Sequence, residues 1–329
     1  MLSWAKQFNI FCFLDNHQYQ SKPHSLECML AIGVVDAVQA NVGNALEQLQ
    51  KFIEARSDRD GQTGWLFGHL SYDLKNEIEY LHSSHIDNIK FPDLFFFQPK
   101  AVISLGEKEI IIEAKDPANI FQSINETPIT KLANDSVYSK HITIQSRISK
   151  KEYIRIFHEL QQHILRGDCY EINFCQEFFA EDVSIDPVSV YKMLSTVSPN
   201  PFSALYKLND KFLICASPER FLKKQGNKIL SQPIKGTSKR MISNGHDNIT
   251  REELLNSSKD RSENVMVVDL VRNDLSKVSE EGSVNVEELF GIYSFPQVHQ
   301  MISTISGKLK KNISFIDIIR ATYPMGSMT

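Results

Sequence analysis

The residues best suited to chemistry are a lysine and a glutamate, Lys235 and Glu219. Lys235 lies in the motif S-Q-P-I-K-G-T-S-K-R, where Pro233 and Gly236 predict a constrained backbone that presents one amine to a site. Sixteen positions earlier, Glu219 lies in S-P-E-R-F. An amine can act as a nucleophile and a carboxylic acid can protonate a leaving group. The pair is therefore typical of covalent catalysis with acid assistance.

A β-hairpin over 212–235 would bring the two side chains together. The run F-L-I-C-A-S predicts an entering strand, Q-G-N (225–227) a turn, and K-I-L-S-Q-P-I a returning strand. Pairing about that turn places Glu219 opposite Ile234 or Lys235, with Cβ atoms about 5 Å apart. A slip of one residue would turn one of the side chains to the other face.

The elements around this hairpin mix helices and strands without regular alternation, which argues against a doubly wound parallel sheet. Capping signals at Ser149, Gly167 and Asp186-Pro187 indicate helix ends. Helices are predicted over 45–55 and 150–166, from Pro187, from a capping box at Thr250–Glu253, and over 262–275, where Glu263 and Asn264 open the helix. Strands are predicted over 66–74, 93–99, 101–114 (with a turn at Gly106), 168–178 and 298–309.

Composition excludes several classes of protein. The 329 residues are 42% hydrophobic and 23% charged, which is ordinary for a globular chain, and the net charge of −4 predicts no nucleic-acid or anionic-membrane partner. Five cysteines without a CxxC pair indicate reduced thiols in the cytoplasm. The N-terminus lacks the pattern of a signal peptide, and no run of about 18 apolar residues predicts a membrane span.

Several ordered motifs resemble those of the chorismate-utilising enzymes. This family includes anthranilate synthase component I, aminodeoxychorismate synthase component I, isochorismate synthase and salicylate synthase. The motifs are G-H-L-S-Y-D-L (68–74), G-D-C-Y-E-I-N-F (167–174), S-P-E-R-F (217–221), P-I-K-G-T (233–237), D-R-S-E-N-V-M-V-V-D-L-V-R-N-D-L (260–275), V-H-Q-M-I-S-T-I-S-G (298–307) and A-T-Y-P-M-G-S-M-T (321–329).

The resemblance implies an α+β fold, with two large antiparallel sheets packed face to face and helices outside. It also implies an N-terminal region, 1–130, and a chorismate-binding catalytic region, 141–329, that interleave in one fold. The catalytic region looks incomplete, because the family pattern continues beyond Thr329 with a Tyr, an Arg and a second magnesium-binding glutamate. We therefore expect a fragment truncated at the C-terminus, with little or no activity if it is the whole polypeptide.

The lysine in P-I-K-G-T is typical of aminodeoxychorismate synthases, whereas anthranilate synthases typically carry alanine there. By resemblance, the amine of Lys235 attacks the chorismate ring as a hydroxyl leaves, and ammonia then displaces the lysine. The product would be 4-amino-4-deoxychorismate, a precursor of p-aminobenzoate and folate. Glu219 matches the acid that protonates the leaving hydroxyl, and His299 matches a histidine beside it.

The resemblance also implies a metal, a substrate site and a partner. Glu263 matches a glutamate that contacts Mg²⁺, although Asn264 stands where a histidine is common. Four further residues would lie close to chorismate: Gly236, Thr237, Ser327 and Thr329. No glutaminase region is visible in the sequence, so ammonia would come from a separate glutamine amidotransferase subunit.

Each assignment has a structural alternative. Lys235 could pair with a surface carboxylate, and Glu219 could be a turn residue bonded to Arg220 or to backbone. His299 could be a hydrogen-bonded core residue, and Glu263 could favour a helix N-terminus through its charge. For the whole chain, the alternatives are anthranilate synthase component I, less readily an isochorismate or salicylate synthase, or a non-catalytic remnant that binds the amidotransferase or tryptophan.

Overall fold

Antiparallel strands form the framework of the chain, and the computed structural model describes residues 1–19, 28–56, 64–128, 142–241 and 244–328. The strands are β1 (Ile10–Asp15), β2 (Cys28–Ile32), β3 (Asp36–Ala40), β4 (Phe67–Leu70), β5 (Leu94–Gln98), β6 (Ala101–Leu105), β7 (Ile110–Ala114), β8 (Gln145–Ser146), β9 (Phe178–Phe179), β10 (Phe202–Leu208), β11 (Lys211–Ser217), β12 (Arg220–Gln225), β13 (Lys228–Gln232), β14 (Ile234–Lys239), β15 (Asn285–Ser294) and β16 (Val298–Lys308). The helices are α1 (Leu2–Ala5), α2 (Ala45–Glu54), α3 (Lys75–Ile78), α4 (Pro117–Glu126), α5 (Lys150–Arg166), α6 (Pro187–Val197), α7 (Asn244–Asn256), α8 (Ser258–Val278) and α9 (Phe315–Thr322), with 3₁₀ turns at Tyr72–Leu74 and Gly326–Met328.

The six-stranded sheet has the order β11-β10-β1-β2-β6-β7, so strands from distant parts of the chain lie side by side. A row of directly opposed apolar side chains crosses all six strands on one face. Directly opposed residues on neighbouring strands point to the same face of a sheet. All members of the row accordingly belong to one hydrophobic core. The row runs Ile214, Leu205, Phe13, Leu30, Ile103 and Ile112.

The five-stranded sheet is built around β16. β13 and β14 pair with successive parts of one edge of β16, and β15 pairs along the strand as well. Helices α8 and α9 cover this sheet with buried aliphatic side chains, among them Val268, Leu275 and Ile318, which share a core with Ile305 of β16. The α+β class with large antiparallel sheets is thereby confirmed, and every strand pair among the described residues is antiparallel.

The three-stranded sheet, β3-β5-β4, contains a glycine for which no side chain would fit. A Cβ on Gly68 would meet the carbonyl oxygen of Phe95 and lie 2.7 Å from the Cα of Phe96, both in the backbone of β5. Backbone atoms in a paired strand cannot move aside without loss of the ladder. The position therefore fixes the close approach of β4 to β5.

Replacing Gly68 with alanine should lower the free energy of unfolding by about 1–3 kcal/mol, because the added methyl overpacks a backbone contact. Urea denaturation of parent and variant measures the difference. Gly245→Ala is the matched control: nothing lies within 4 Å of its added Cβ, and alanine favours the helix that it would occupy. Equal midpoints for parent and Gly68→Ala would contradict the packing described here.

The predicted hairpin exists only in part. β12 and β13 pair in the predicted register close to the turn, where Gln225 faces Lys228, but a bulge shifts the pairing to Arg220 opposite Gln232. The run F-L-I-C-A-S was wrongly assigned to this hairpin, because it forms β11 and pairs with β10 in the other sheet. Pro218, which has no N–H to donate, stands at the crossing between the sheets.

The strand predicted over 168–178 was also wrong. Residues 168–177 pair with no strand among the described residues. Phe178 is the first residue of the short strand β9, which pairs with β8. The segment is instead held against α5 by the stacked rings of Tyr153 and Phe174, with centroids 4.6 Å apart. Gln176 donates from Nε2 to the carbonyl of Ile148 at 2.6 Å.

Two helix starts were also wrong. The predicted cap Thr250 lies inside α7, where its hydroxyl donates to the carbonyl of Asp247 at 2.9 Å. α8 begins at Ser258, because the hydroxyl of Ser257 caps it by accepting from the backbone N–H of Asp260 at 3.2 Å. Glu263 therefore lies in the second turn of α8 and does not open it.

Local capping signals were reliable elsewhere. Ser149 caps α5, Gly167 ends it in the left-handed conformation at φ +83°, and Asp186 caps α6. The turn at Gly106 joins β6 to β7 as predicted, and 298–309 is β16 apart from its last residue. Among the described residues, no helix has the length and apolar character needed to cross a membrane.

Candidate active site

Lys235 lies at a bulge in β14, where the pairing with β16 shifts between Ile234 and Thr237. The next residue, Gly236, has φ +96°, and a Cβ there would come within 3.0 Å of the Cβ of Asp260. Both the conformation and the space therefore require glycine after the lysine. This explains the Lys-Gly pair of the motif as a local backbone requirement.

The main chain of Lys235 is fixed by Asn264 of α8. This asparagine is 1% exposed, and its Nδ2 donates to the carbonyl oxygens of Lys235 and Met301, each at 3.3 Å. Its Oδ1 accepts from the hydroxyl of Ser303 at 2.6 Å. The asparagine that departs from the family pattern thus ties the lysine strand to α8 and to β16.

The amine of Lys235 is in direct contact with Oε1 of Glu171. The two side chains are 15% and 22% exposed, so the ion pair is largely removed from solvent. Oε2 of Glu171 is buried and has no hydrogen-bond partner. Lys235 is therefore not paired with a surface carboxylate: its partner is an inward-facing glutamate with one unused oxygen.

Glu219 lies at the crossing from β11 to β12, and its carboxyl is close to the backbone N–H of Ile234, the residue before the lysine. Burial raises the pKa of the Glu219 carboxyl, and three weaker influences oppose the increase: the hydroxyl of Ser327, the backbone N–H of Ile234 and the ammonium of Lys235. The raised pKa favours the protonated form of Glu219. A carboxylic acid that keeps its proton close to an amine is suited to act as a general acid.

Two hollows adjoin these groups. A cavity of about 20 Å³, large enough for one water molecule, is bordered by Glu219, Asp274 and Ser327. A more open cleft of about 400 Å³ is bordered by Glu171 and by apolar residues of α8, a size suited to a small organic molecule. Gly326 borders both, so the carboxyl groups of Glu219 and Glu171 face adjacent spaces.

Three of the four residues predicted to contact substrate are described by the structure, and they lie near Lys235 or Glu219. Gly236 adjoins Lys235, Thr237 is exposed on β14, and the buried hydroxyl of Ser327 lies next to the carboxyl of Glu219. The carbonyl of Ser327 accepts from Nδ2 of Asn173 at 3.2 Å. Thr329 lies outside the described residues, and the contacts of all four with substrate stay predictions.

His299 is buried in β16 with 1% exposure, and both of its ring nitrogens are engaged. Nδ1 lies 2.8 Å from the hydroxyl of Ser294, and Nε2 lies 3.1 Å from Oδ1 of Asp247. Asp247 also accepts from Nε of Arg240, which is the main reason that its pKa falls to about 2. This network ties α7 to β16, and the structure shows no contact of the imidazole with Lys235 or Glu219. A catalytic role for His299 stays a prediction.

Glu263 provides one carboxylate on α8, 38% exposed and 3.7 Å from the amine of Lys259. Within the described ranges, no group of three or more His, Cys, Asp or Glu side chains could hold a metal ion. Mg²⁺ commonly binds through one or two carboxylates and takes its other ligands from water and substrate oxygens. A single accessible carboxylate fits such a substrate-completed site.

The sequence analysis missed Glu171 as a site residue. Its signal was present, because the alternation of 168–178 placed Glu171 on a polar face with Cys169, Asn173 and Cys175. A polar face that carries a carboxylate needs a partner where it is buried, and the ion pair with Lys235 supplies it. The sequence could not show that this segment is irregular and lies against β14, where Glu171 contacts Lys235.

The comparison with family models decides the family. A model described as chorismate binding enzyme matches residues 11–329, nearly the whole chain. The chain belongs to the chorismate-binding enzyme family.

Similar sequences include enzymes of one named activity. Aminodeoxychorismate synthase component 1 of Klebsiella aerogenes is 32% identical over 268 residues, which cover 81% of this chain and 59% of that protein. The protein of the same name from Bacillus subtilis is 31% identical over 283 residues, again 81% and 59%. The chain thus spans about three fifths of the length of these curated relatives.

Among solved structures, anthranilate synthase component I of Streptococcus pneumoniae is similar with a TM-score of 0.78 and 22% sequence identity. The similarity covers 94% of this chain and 74% of that one. At this identity the likeness shows a shared fold and carries no information on which product is made.

Proposed function

We propose that this chain aminates chorismate to 4-amino-4-deoxychorismate through a covalent adduct on Lys235. One observation carries the proposal: a largely buried amine touches Glu171, and the carboxyl of Glu219, which the backbone N–H of the adjacent Ile234 reaches, has surroundings that favour the protonated acid. Replacing a hydroxyl group needs both a nucleophile and an acid, because hydroxide is a poor leaving group. Membership of the family and the similarity to aminodeoxychorismate synthases support this choice of substrate and reaction.

The first half of the reaction forms a carbon–nitrogen bond to Lys235. Its neutral amine attacks the substrate ring, the carbon–oxygen bond to the hydroxyl breaks, and its electron pair leaves on oxygen. The carboxylic acid of Glu219 donates a proton to that oxygen, so water departs. Glu219 remains as a carboxylate close to the positively charged adduct.

The second half replaces lysine with ammonia. Ammonia attacks the carbon that carried the hydroxyl, and the lysine nitrogen leaves with the electron pair of its bond. The carboxylate of Glu219 takes a proton from the new ammonium group and becomes the acid again. This residue therefore acts once as an acid and once as a base in each turnover.

Glu263 would hold a magnesium ion, whose positive charge would neutralise and orient a substrate carboxylate when bound. Ammonia would come from a separate glutamine amidotransferase subunit, a proposal supported by the words "component 1" in the names of the similar proteins. The amide of Asn264 and the glycine at 236 keep the lysine in place for both halves of the reaction.

The test is identification of the product. The protein is supplied with chorismate, MgCl₂ and ammonium chloride near pH 8, and products are separated and weighed by mass spectrometry. We expect a product in which NH₂ replaces OH on an otherwise intact chorismate. A fluorescent anthranilate product would instead favour anthranilate synthase chemistry. Binding of chorismate without turnover would favour the non-catalytic alternative.

A further inference from the structure

The ion pair between Lys235 and Glu171 has more than a structural use. We propose that Glu171 is the proton acceptor for Lys235, taking a proton from the ammonium to create the nucleophilic amine and returning it when the lysine leaves. The inference rests on the proposed function, because it assigns a step in that reaction. It adds a third catalytic group to the lysine and the acid.

Contact is the first argument. Glu171 touches the nitrogen that is to react, with neither side chain more than a quarter exposed. A lysine attacks carbon only as a neutral amine, so a group that removes its proton at the site is needed near neutral pH. The oxygen of Glu171 in contact with the amine is where that proton would go.

The second argument is that other residues already hold the backbone at Lys235, so Glu171 is not needed for that purpose. Asn264 holds the carbonyl of Lys235, and Gly236 sets the bend after it. Glu171 has no ladder to maintain, because its segment is irregular. Its Oε2 is buried and makes no hydrogen bond, an arrangement that costs stability unless the group serves another purpose.

The other charged groups near the lysine do not replace Glu171. Glu219 is the acid that protonates the leaving hydroxyl. Its raised pKa keeps it protonated until the hydroxyl has left, so before then it cannot accept a proton from Lys235. Asp260, below Gly236 on α8, is hydrogen-bonded to the hydroxyl of Ser257. Glu263, one turn further along the helix, is partly exposed and lies near Lys259.

The protons balance over a complete turnover. The ammonium of Lys235 first gives a proton to the carboxylate of Glu171, which leaves a neutral amine beside a neutral acid. After ammonia has displaced the lysine as a neutral amine, the acid of Glu171 returns that proton. No outside acid, base or oxidant is needed, and the pair ends as it began.

The first test uses no substrate. Cyanate carbamylates neutral amines, and peptide mass spectrometry measures its rate at Lys235. Because the contact with Glu171 covers the lysine nitrogen and hinders approach of the reagent, we expect Glu171→Gln to speed carbamylation at pH 8 by roughly 3- to 10-fold. Glu177→Gln, in the same segment but paired with exposed Arg147, should leave the rate unchanged. An unchanged rate in Glu171→Gln would overturn the proposed contact.

The second test compares pH profiles of kcat/KM for chorismate. Proton transfer within the Lys235–Glu171 pair changes no net proton count, whereas the Glu171→Gln variant must lose a proton to solvent. The ratio of variant to parent should therefore rise about tenfold per pH unit between pH 6 and 8. Taking the ratio cancels the titration of Glu219, which both proteins share.

The outcomes separate this inference from the proposed function. A low ratio that does not change with pH would reduce Glu171 to a positioning residue and overturn the inference, while turnover by the parent would still support the function. Glu171→Asp should restore a pH-independent ratio at a lower level, because it keeps the carboxylate. A parent without turnover would contradict the proposed function, and the carbamylation rates would still test the contact.

Discussion

Replacing Lys235 with alanine should slow the formation of 4-amino-4-deoxychorismate by on the order of 10³-fold or more. Alanine removes the amine that we propose forms the covalent adduct, and ammonia would then have to displace hydroxide in a single step. The effect should fall on kcat, because the lysine acts during bond exchange. Mass spectrometry of products under saturating ammonia measures the loss.

Lys239→Ala is the matched control, since Lys239 is an exposed lysine four residues further along the same strand. It should keep the rate and the thermal midpoint of the parent. Trace products of Lys235→Ala are informative as well, because attack elsewhere on the ring by ammonia would yield anthranilate-type material. Undiminished amination by Lys235→Ala would remove the lysine from the mechanism.

Replacing Glu219 with glutamine should lower turnover by on the order of 10²- to 10⁴-fold, the usual contribution of a general acid. Glutamine keeps the shape of the side chain but cannot donate the proton that lets the hydroxyl depart. The adduct on Lys235 should therefore form very slowly. Pre-steady-state measurement of the loss of chorismate, without ammonia, isolates this half of the reaction.

The pH dependence of the parent follows from the environment of Glu219. Burial raises its pKa above the ordinary 4.5, so the folded protein holds this proton at pH values where an unfolded chain has released it. Activity that needs the acid is present below the raised pKa and is lost as the pH rises through it. Glu219→Gln should lack this alkaline limb.

Stability provides a control for the same variant. A raised carboxyl pKa means that the folded state binds more protons than the unfolded state, so the free energy of unfolding falls as the pH rises through that window. Glu219→Gln has no proton to lose there, so its urea midpoint should stay constant as the pH rises through that window, whereas the midpoint of the parent should fall. Marked destabilisation of Glu219→Gln would indicate a structural role in place of the acid.

Helix ends could be predicted from the sequence because their signals are local. Ser149, Gly167 and Asp186 act on backbone groups within four residues of themselves, so no distant part of the chain can change their effect. Thr250 shows the limit of that reasoning. Its Ser/Thr-x-x-Glu pattern is genuine, but the helix begins six residues earlier, at Asn244. The side chain of Asp247, in the first turn, accepts from the backbone N–H of Met241 before the helix.

Sheet membership could not be predicted, because it depends on distant partners. The run ending at Ser217 had the pattern of a hairpin strand, and the register near Gly226 was correct. Its true partner is β10, the strand immediately before it, and β10 in turn pairs with β1 near the N-terminus. The change of sheet at Pro218 has only a proline as a local signal. Glu219 still lies near the strand that carries the lysine, but at a crossing between sheets and not at an opposed strand position.

The site shows the same division. Lys235 and Glu219 could be chosen from their motifs, and both lie at one place. Glu171 also lies in a motif, but its contact with the lysine could not be predicted, because residues 64 positions apart meet there through a segment without regular structure. His299 matched a motif, yet Ser294 and Asp247 occupy its ring nitrogens, a pattern set by where α7 packs.

The most direct measurement looks for the covalent bond itself. The protein is mixed with chorismate and magnesium without ammonia, quenched rapidly in acid, digested and analysed by tandem mass spectrometry. Our account predicts that the peptide containing Lys235 gains the mass of chorismate less one water, and that added ammonia removes this mass as product forms. Full turnover with ammonia, with no adduct at Lys235 at any quench time, would contradict it.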